Sequence, residues 1–139
     1  MFNPAKDLNW VWKTVSGNTG VLSAMGLVGA TTLKIAKQII KTSKYDDLAK
    51  EGERRLCIYF LPSRPRINNL RTPEMIQLEC HVPHRESMKA YETIGAVHTA
   101  LQGKLINGKV FEYAGQLGEL ATAPGYFCAG IRYKYHGSV

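Results

Sequence analysis

Apolar and polar positions follow two different rhythms along this chain, and the change between them falls at residues 55–56. Before it the spacing is helical. Trp10, Trp12 and Val15 precede the breaker Ser16-Gly17-Asn18. Thr19 is expected to cap a short helix through Met25, with Gly26 ending it. A second helix is expected from a cap at Thr31 or Thr32, with Leu33, Ile35, Ala36, Ile39 and Ile40 as its apolar stripe. Lys34, Lys37, Lys41 and Lys44 fall largely on its other face, and Tyr45-Asp46-Asp47 closes it. Leu48 to Arg55 reads as a charged connector.

From Leu56 the period becomes that of a sheet. Leu56-Cys57-Ile58-Tyr59-Phe60-Leu61 is a continuous apolar run stopped by Pro62, which predicts a buried strand. Pro62 to Pro73 holds three prolines, three arginines and the Asn68-Asn69 pair; it is too rich in proline for a ladder strand and reads as a projecting arm. Met75 to Val82 alternates: Ile76, Leu78, Cys80 and Val82 share one face, expected to be buried, and Gln77, Glu79 and His81 share a polar one. Arg85 to Gln102 is expected to be a long helix with Met88, Tyr91, Ile94, Val97, His98 and Leu101 inward and Gly103 at its end. Ile106-Asn107-Gly108-Lys109 marks a turn, Val110 to Gly118 a strand, and Pro124-Gly125 a second turn. In the last strand, Tyr126 to Tyr135, Phe127, Ala129, Ile131, Tyr133 and Tyr135 oppose Arg132 and Lys134.

These elements define an α+β fold: N-terminal helices, then a mixed or antiparallel sheet of about four strands with one long helix packed across it. The 139 residues suit a single domain, mainly helical over 1–55 and strand-arm-strand-helix-strand-strand over 56–139. No apolar stretch reaches the roughly 18 residues of a spanning helix, so no membrane partner is expected. Met1-Phe2-Asn3-Pro4 is unlike a secretory signal, so synthesis in the cytoplasm is expected.

The charge is lopsided. Of a net +7, residues 1–55 carry nine Lys/Arg against five Asp/Glu, and residues 56–72 carry Arg64, Arg66 and Arg71 with no acid. Residues 73–139 hold six of each, so the excess lies in the helical part and the arm. Such asymmetry suits a face turned toward an acidic partner, as well as a merely soluble surface. The arm gains little from its own domain and is expected to reach a neighbouring subunit through Arg64, Arg66, Ile67, Asn68, Asn69, Leu70 and Arg71.

No arrangement of residues along the chain spells out a reaction. Cys80 and His81 are adjacent on a strand and point to opposite faces, so they are not a nucleophile–base pair. A metal centre on Cys80 and His84 would need ligands from Cys57, Cys128, His98 or His136, without the paired spacing of structural zinc sites; no metal or cofactor is expected. Cys57, Cys80 and Cys128, each within an apolar run, read as buried thiols. Gly26-Leu27-Val28-Gly29 lacks the lysine and hydroxyl residue of a phosphate loop. Glu79, Glu86, Glu92, Glu112 and Glu119 are scattered, and Tyr126, Phe127, Tyr133 and Tyr135 read as core in preference to a base-stacking platform.

Three phrases carry a family resemblance. Arg55-Leu56-Cys57-Ile58-Tyr59-Phe60-Leu61-Pro62 with its arm resembles the first strand and arm of bacteriophage tail terminator proteins. Ile76-Gln77-Leu78-Glu79-Cys80-His81-Val82-Pro83 is similar to the second strand and its stop. Gly115-Gln116-Leu117-Gly118-Glu119-Leu120, Pro124-Gly125-Tyr126-Phe127-Cys128 and Arg132-Tyr133 are similar to the final hairpin. The likeness runs in order over residues 31–136. It implies a non-enzymatic virion subunit of the tail or neck, made in the host bacterial cytoplasm. Such subunits form a hexameric ring on the tail-tube protein, stop tube polymerisation and offer a joining surface to the head-side connector. DNA passes through the lumen without sequence specificity. The family shares its fold with tail-tube and neck proteins, so a neck or head-completion subunit is the nearest alternative. A DNA-binding accessory protein using the basic helices is the alternative from another class.

Overall fold

In the computed structural model, residues 3–48, 52–62 and 73–136 are described. Helix α1 (Pro4–Ser16) fills the stretch ahead of the Ser16-Gly17-Asn18 breaker. The Asn3 side chain accepts from the Lys6 amide, and Pro4 occupies a first-turn position where no N–H is needed. Helix α2 (Thr19–Met25) is capped by Asn18, not Thr19, because the Asn18 carboxamide oxygen reaches the Val21 amide at 3.0 Å. Gly26 ends it.

Helix α3 (Thr32–Gln38) is capped by Thr31 and is shorter than its periodicity predicts. Its expected stripe is not buried as a unit: Leu33 is 81% exposed, and Ala36 is exposed too. The chain extends instead at the two β-branched residues Ile39 and Ile40, which form strand β1 (Ile39–Ile40) parallel to β2 (Arg55–Phe60). The Trp12 indole N–H donates to the Ile39 carbonyl at 2.7 Å, tying this edge to α1. Nor is the following segment wholly an exposed connector. Leu48 is fully buried, and Arg55, 5% exposed, enters the strand and pairs with Asp47 at 2.6 Å.

The sheet has five strands in the order β1-β2-β3-β7-β6, where β3 is Glu74–Pro83, β6 is Glu112–Leu117 and β7 is Tyr126–Tyr135. All neighbours except β1 and β2 run antiparallel, so the sheet is mixed. The long pairing of β3 with β7, from Glu74↔Tyr135 to Pro83↔Tyr126, forms its centre. The stretch expected as one strand from Val110 divides into a two-residue strand and β6. Asn107 and Gly108 take positive φ values of 50° and 75°, joining β4 (Leu105–Ile106) and β5 (Lys109–Val110) in a tight hairpin. A bulge at Tyr113/Gly115 then bends β6 along β7.

Helix α4 (Ser87–Leu101), preceded by a short 3-10 turn at His84–Glu86, packs on the sheet with α1 and α2. Its inward face is Ala90, Thr93, Ile94, Val97, Ala100 and Leu101. The expected stripe is therefore rotated: Met88 is 68% exposed and Tyr91 lies at the margin. Small Ala90 and Ala100 let the helix approach β3 and β7 closely, while Met88 would face outward on any such seating. Val11, Val15, Val21, Met25, Ile94, Val97 and Leu101 meet Leu56, Ile58, Ile76, Leu78, Ile131 and Tyr133 in one core. Each fully buried aliphatic side chain there contributes about 1.5–3 kcal/mol.

Candidate functional site

The other face of the sheet is where sequence and structure differ most. Gln77, Glu79 and His81, expected as the polar side opposite the buried one, are themselves 4%, 6% and 0% exposed. Strand alternation puts them with Arg55, Cys57 and Tyr59 on β2 and with Cys128, Gly130 and Arg132 on β7. Two segments cover them. Tyr45 stacks on the His81 ring with centroids 5.0 Å apart, and Thr122 Oγ1 lies 2.7 Å from His81 Nδ1. Leu120 folds over Gly130, where a Cβ would stand only 2.9 Å from Leu120 Cδ1 and 3.1 Å from the Leu78 carbonyl oxygen. Only a glycine admits that approach.

Burial of these groups is tolerated because they satisfy one another. The Arg132 guanidinium donates to Gln77 Oε1 at 2.8 Å; Gln77 donates to Tyr59 at 2.9 Å and to Glu79; the Tyr59 hydroxyl donates to Glu79. Glu79 Oε2 lies 3.4 Å from His81 Nε2, which in turn lies 3.6 Å from Cys128 Sγ. Burial pushes the Glu79 carboxyl up, but the hydrogen bonds from His81, Tyr59 and Gln77 outweigh it and hold the group below the usual carboxylate range. Burial drives all three thiols the other way: Cys57 is pushed up to about 11, Cys80 to about 12, and Cys128 well above the ordinary thiol range. None is a ready nucleophile.

Cys80 sits in the helix-facing core while His81 faces the opposite layer, as their adjacency requires. His84 contacts Phe127 edge-on, and His98 Nδ1 lies 2.8 Å from the Tyr133 hydroxyl; neither approaches a thiol in these contacts. Glu86 pairs with Arg54, Glu92 with Lys89, and Glu112 approaches Lys134 at 3.9 Å, so the carboxylates remain dispersed. Phe127, Tyr133 and Tyr135 are buried, in keeping with a core role. What the linear sequence did not reveal is the meeting of Glu79, His81 and Cys128. Alternation puts Glu79 beside His81, but Cys128 arrives only through the register His81↔Cys128.

On the outer surface a groove of about 260 Å³ runs between α4 and β6, lined by Tyr91, Ile94, Gly95, His98, Tyr113, Gln116 and Ile131. Tyr113, 46% exposed, and the exposed Tyr91 give it apolar surface, and His98 and Gln116 give it a polar share. Lys34, Lys37, Lys41 and Lys44 are exposed on and after α3, with Lys41 lying over the Trp12 ring. The arm residues Arg64, Arg66, Ile67, Asn68, Asn69, Leu70 and Arg71 lie outside the described residues.

No family model matches the chain. No curated protein matches it by sequence. Among solved structures it is similar to a chain of the "Virion of native gene transfer agent (GTA) particle", with a TM-score of 0.53 and 12% identity. The likeness covers 91% of this chain and 92% of that one, so the two share an α+β fold from end to end.

Proposed function

We propose that this chain is a non-enzymatic structural subunit of a tailed, phage-like virion, and specifically a tail terminator. The observation that carries the reading is the near-complete mutual coverage with a chain of a virion particle. The resemblance of the strand, arm and hairpin phrases to tail terminators points the same way. In this reading the subunits close into a hexameric ring on the tail tube, stop its growth and offer the opposite surface to the head-side connector. DNA passes through the lumen without sequence readout. A closed ring of identical subunits needs two unlike complementary surfaces on each chain. The edge strand β6 with the groove beside it supplies one, and the arm supplies the other.

The described residues on either side of the arm support this reading. Phe60 pairs with Ile76, and the Leu61 amide donates to the Met75 carbonyl at 3.0 Å. The last residues of β2 and the first of β3 therefore lie side by side at one end of the sheet. Arg64, Arg66 and Arg71 would pair with acidic groups next door or line the lumen.

Electron microscopy of the purified protein, alone and with tail-tube subunits, tests this. Discrete rings that cap tubes are expected, with weak and nonspecific DNA binding. Reversing charge at Arg64 and Arg66 together should impair ring formation and leave the folded subunit intact. Rings that ignore tube ends would favour a neck or head-completion role. A monomer that binds duplex DNA with steep salt dependence would favour the accessory reading.

A further inference from the structure

We propose that Glu79, His81 and Cys128 hold a structural divalent ion of zinc type between β3 and β7. One oxygen, one nitrogen and one sulfur converge from three side chains, and these atoms all lie within 4.8 Å of one another. Carboxylate, imidazole and thiolate are the donor types that bind zinc, at about 2.0–2.2 Å for oxygen and nitrogen and about 2.3 Å for sulfur. A tetrahedral ion with those bond lengths sets its nitrogen and oxygen ligands about 3.3 Å apart and its nitrogen and sulfur ligands about 3.6 Å apart. The chain places Glu79 Oε2 at 3.4 Å and Cys128 Sγ at 3.6 Å from His81 Nε2. Two edges of the coordination face already have the required length. The third, Glu79 to Cys128, is at most 4.8 Å.

The surroundings are arranged as a metal site requires. His81 Nδ1 is engaged by Thr122 Oγ1 at 2.7 Å, which fixes the ring and turns Nε2 toward the other two donors. Glu79 Oε1 accepts from Tyr59 and Gln77, leaving Oε2, which faces His81 Nε2, as the oxygen available to an ion. All three ligands are buried and Tyr45 closes over His81, so the ion is a structural one shielded from substrates. Binding displaces the Cys128 thiol proton to solvent and leaves the His81 proton on Nδ1 toward Thr122. Three protein donors leave the fourth position to a water molecule, one protein ligand fewer than closed structural zinc sites have. Loading into so enclosed a place accompanies folding.

Linear spacing hides this centre. The three ligands belong to two strands 47 residues apart at His81 and Cys128, and Cys57 and Cys80 are not among them.

The test is elemental analysis and X-ray absorption on the full chain, expressed in zinc-supplemented medium and passed through a weak chelator. One zinc per chain is expected, with a single sulfur and the remaining ligands nitrogen or oxygen. Cys128→Ser should abolish stoichiometric metal, while Cys57→Ser and Cys80→Ser retain it. Thr122→Val should weaken affinity about 10- to 100-fold through the loss of the His81 support. Metal-free wild-type protein overturns the proposal, as does a shell with no sulfur or with several. Should Cys128→Ser fail to fold, the wild-type absorption spectrum still decides. Failure here leaves the virion reading untouched, because neither rests on the other.

Discussion

Asp7 and Gly130 show how single side chains decide this structure. Asp7, 2% exposed, receives Lys109 at 2.7 Å, Asn107 at 2.9 Å and the Tyr135 hydroxyl at 2.9 Å, so it fastens α1 to the β4–β5 hairpin and the end of β7. Burial alone would push its carboxyl up; the hydrogen bonds from Lys109, Asn107 and Tyr135 and the Lys109 charge outweigh that and hold it below the usual carboxylate range. A carboxylate lowered on folding adds stability above its unfolded value of about 3.9, and that stability is lost as pH falls through the lower folded value. Asp7→Asn leaves Lys109 buried beside a neutral amide and should cost about 3–5 kcal/mol at neutral pH. The difference from wild type should shrink in acid denaturation curves below pH about 4. A gap that stays constant with pH would show that the Asp7 charge is not what holds the helix. At Gly130 an added methyl meets both Leu120 and the Leu78 carbonyl. Gly130→Ala should cost about 1–3 kcal/mol in chemical denaturation. Leu120→Ala in the same chain should restore only part of this, because the backbone contact remains. Neither pattern could be read from the sequence: Asp7 is an ordinary first-turn acid there, and its partners lie about a hundred residues away.

Individual elements were legible in proportion to how local their causes are. The Asn107-Gly108 turn, the Gly26 stop and the alternation of β7 arise from residues close in sequence, and each forms where its residues predict. Strand β1 does not, because Ile39 and Ile40 fit a helical stripe as well as a strand, and only Leu56 and Cys57 alongside decide between them. Trp12→Phe removes the donor to the Ile39 carbonyl and should cost about 1–3 kcal/mol. Amide exchange should then quicken at Ile39–Ile40 while β3 and β7 keep their protection. Uniform loss of protection would show that β1 is not a separable edge. The polar face of β3 was misread for the same reason. Alternation assigns residues to faces, but whether a face meets water depends on what folds over it, here Tyr45, Leu120 and Thr122. The candidate metal ligands were hidden by that cover and by a cross-strand register that no spacing rule encodes.

For the whole molecule, the α+β class, the mixed or antiparallel sheet and the long helix across it followed from pattern, and the structure adds the pairing of β3 with β7 and the order β1-β2-β3-β7-β6. Among the described residues the polar groups between the sheet and its covering segments pair with one another, and burial raises the three metal-free thiols. Among the described residues β6 is an edge strand with a groove beside it, and together with the basic half these support the proposed assembling subunit. A ring that ends a tube must match the tube on one side and differ from it on the other, and loss of such a ring leaves the tube without its stop. For the proposed terminator role the most direct test is electron microscopy of lysates from a phage-like particle whose gene for this chain is disrupted. The account predicts heads filled with DNA beside unjoined tails of abnormal length. Tails of normal length with an intact upper end, or complete normal particles, would contradict it.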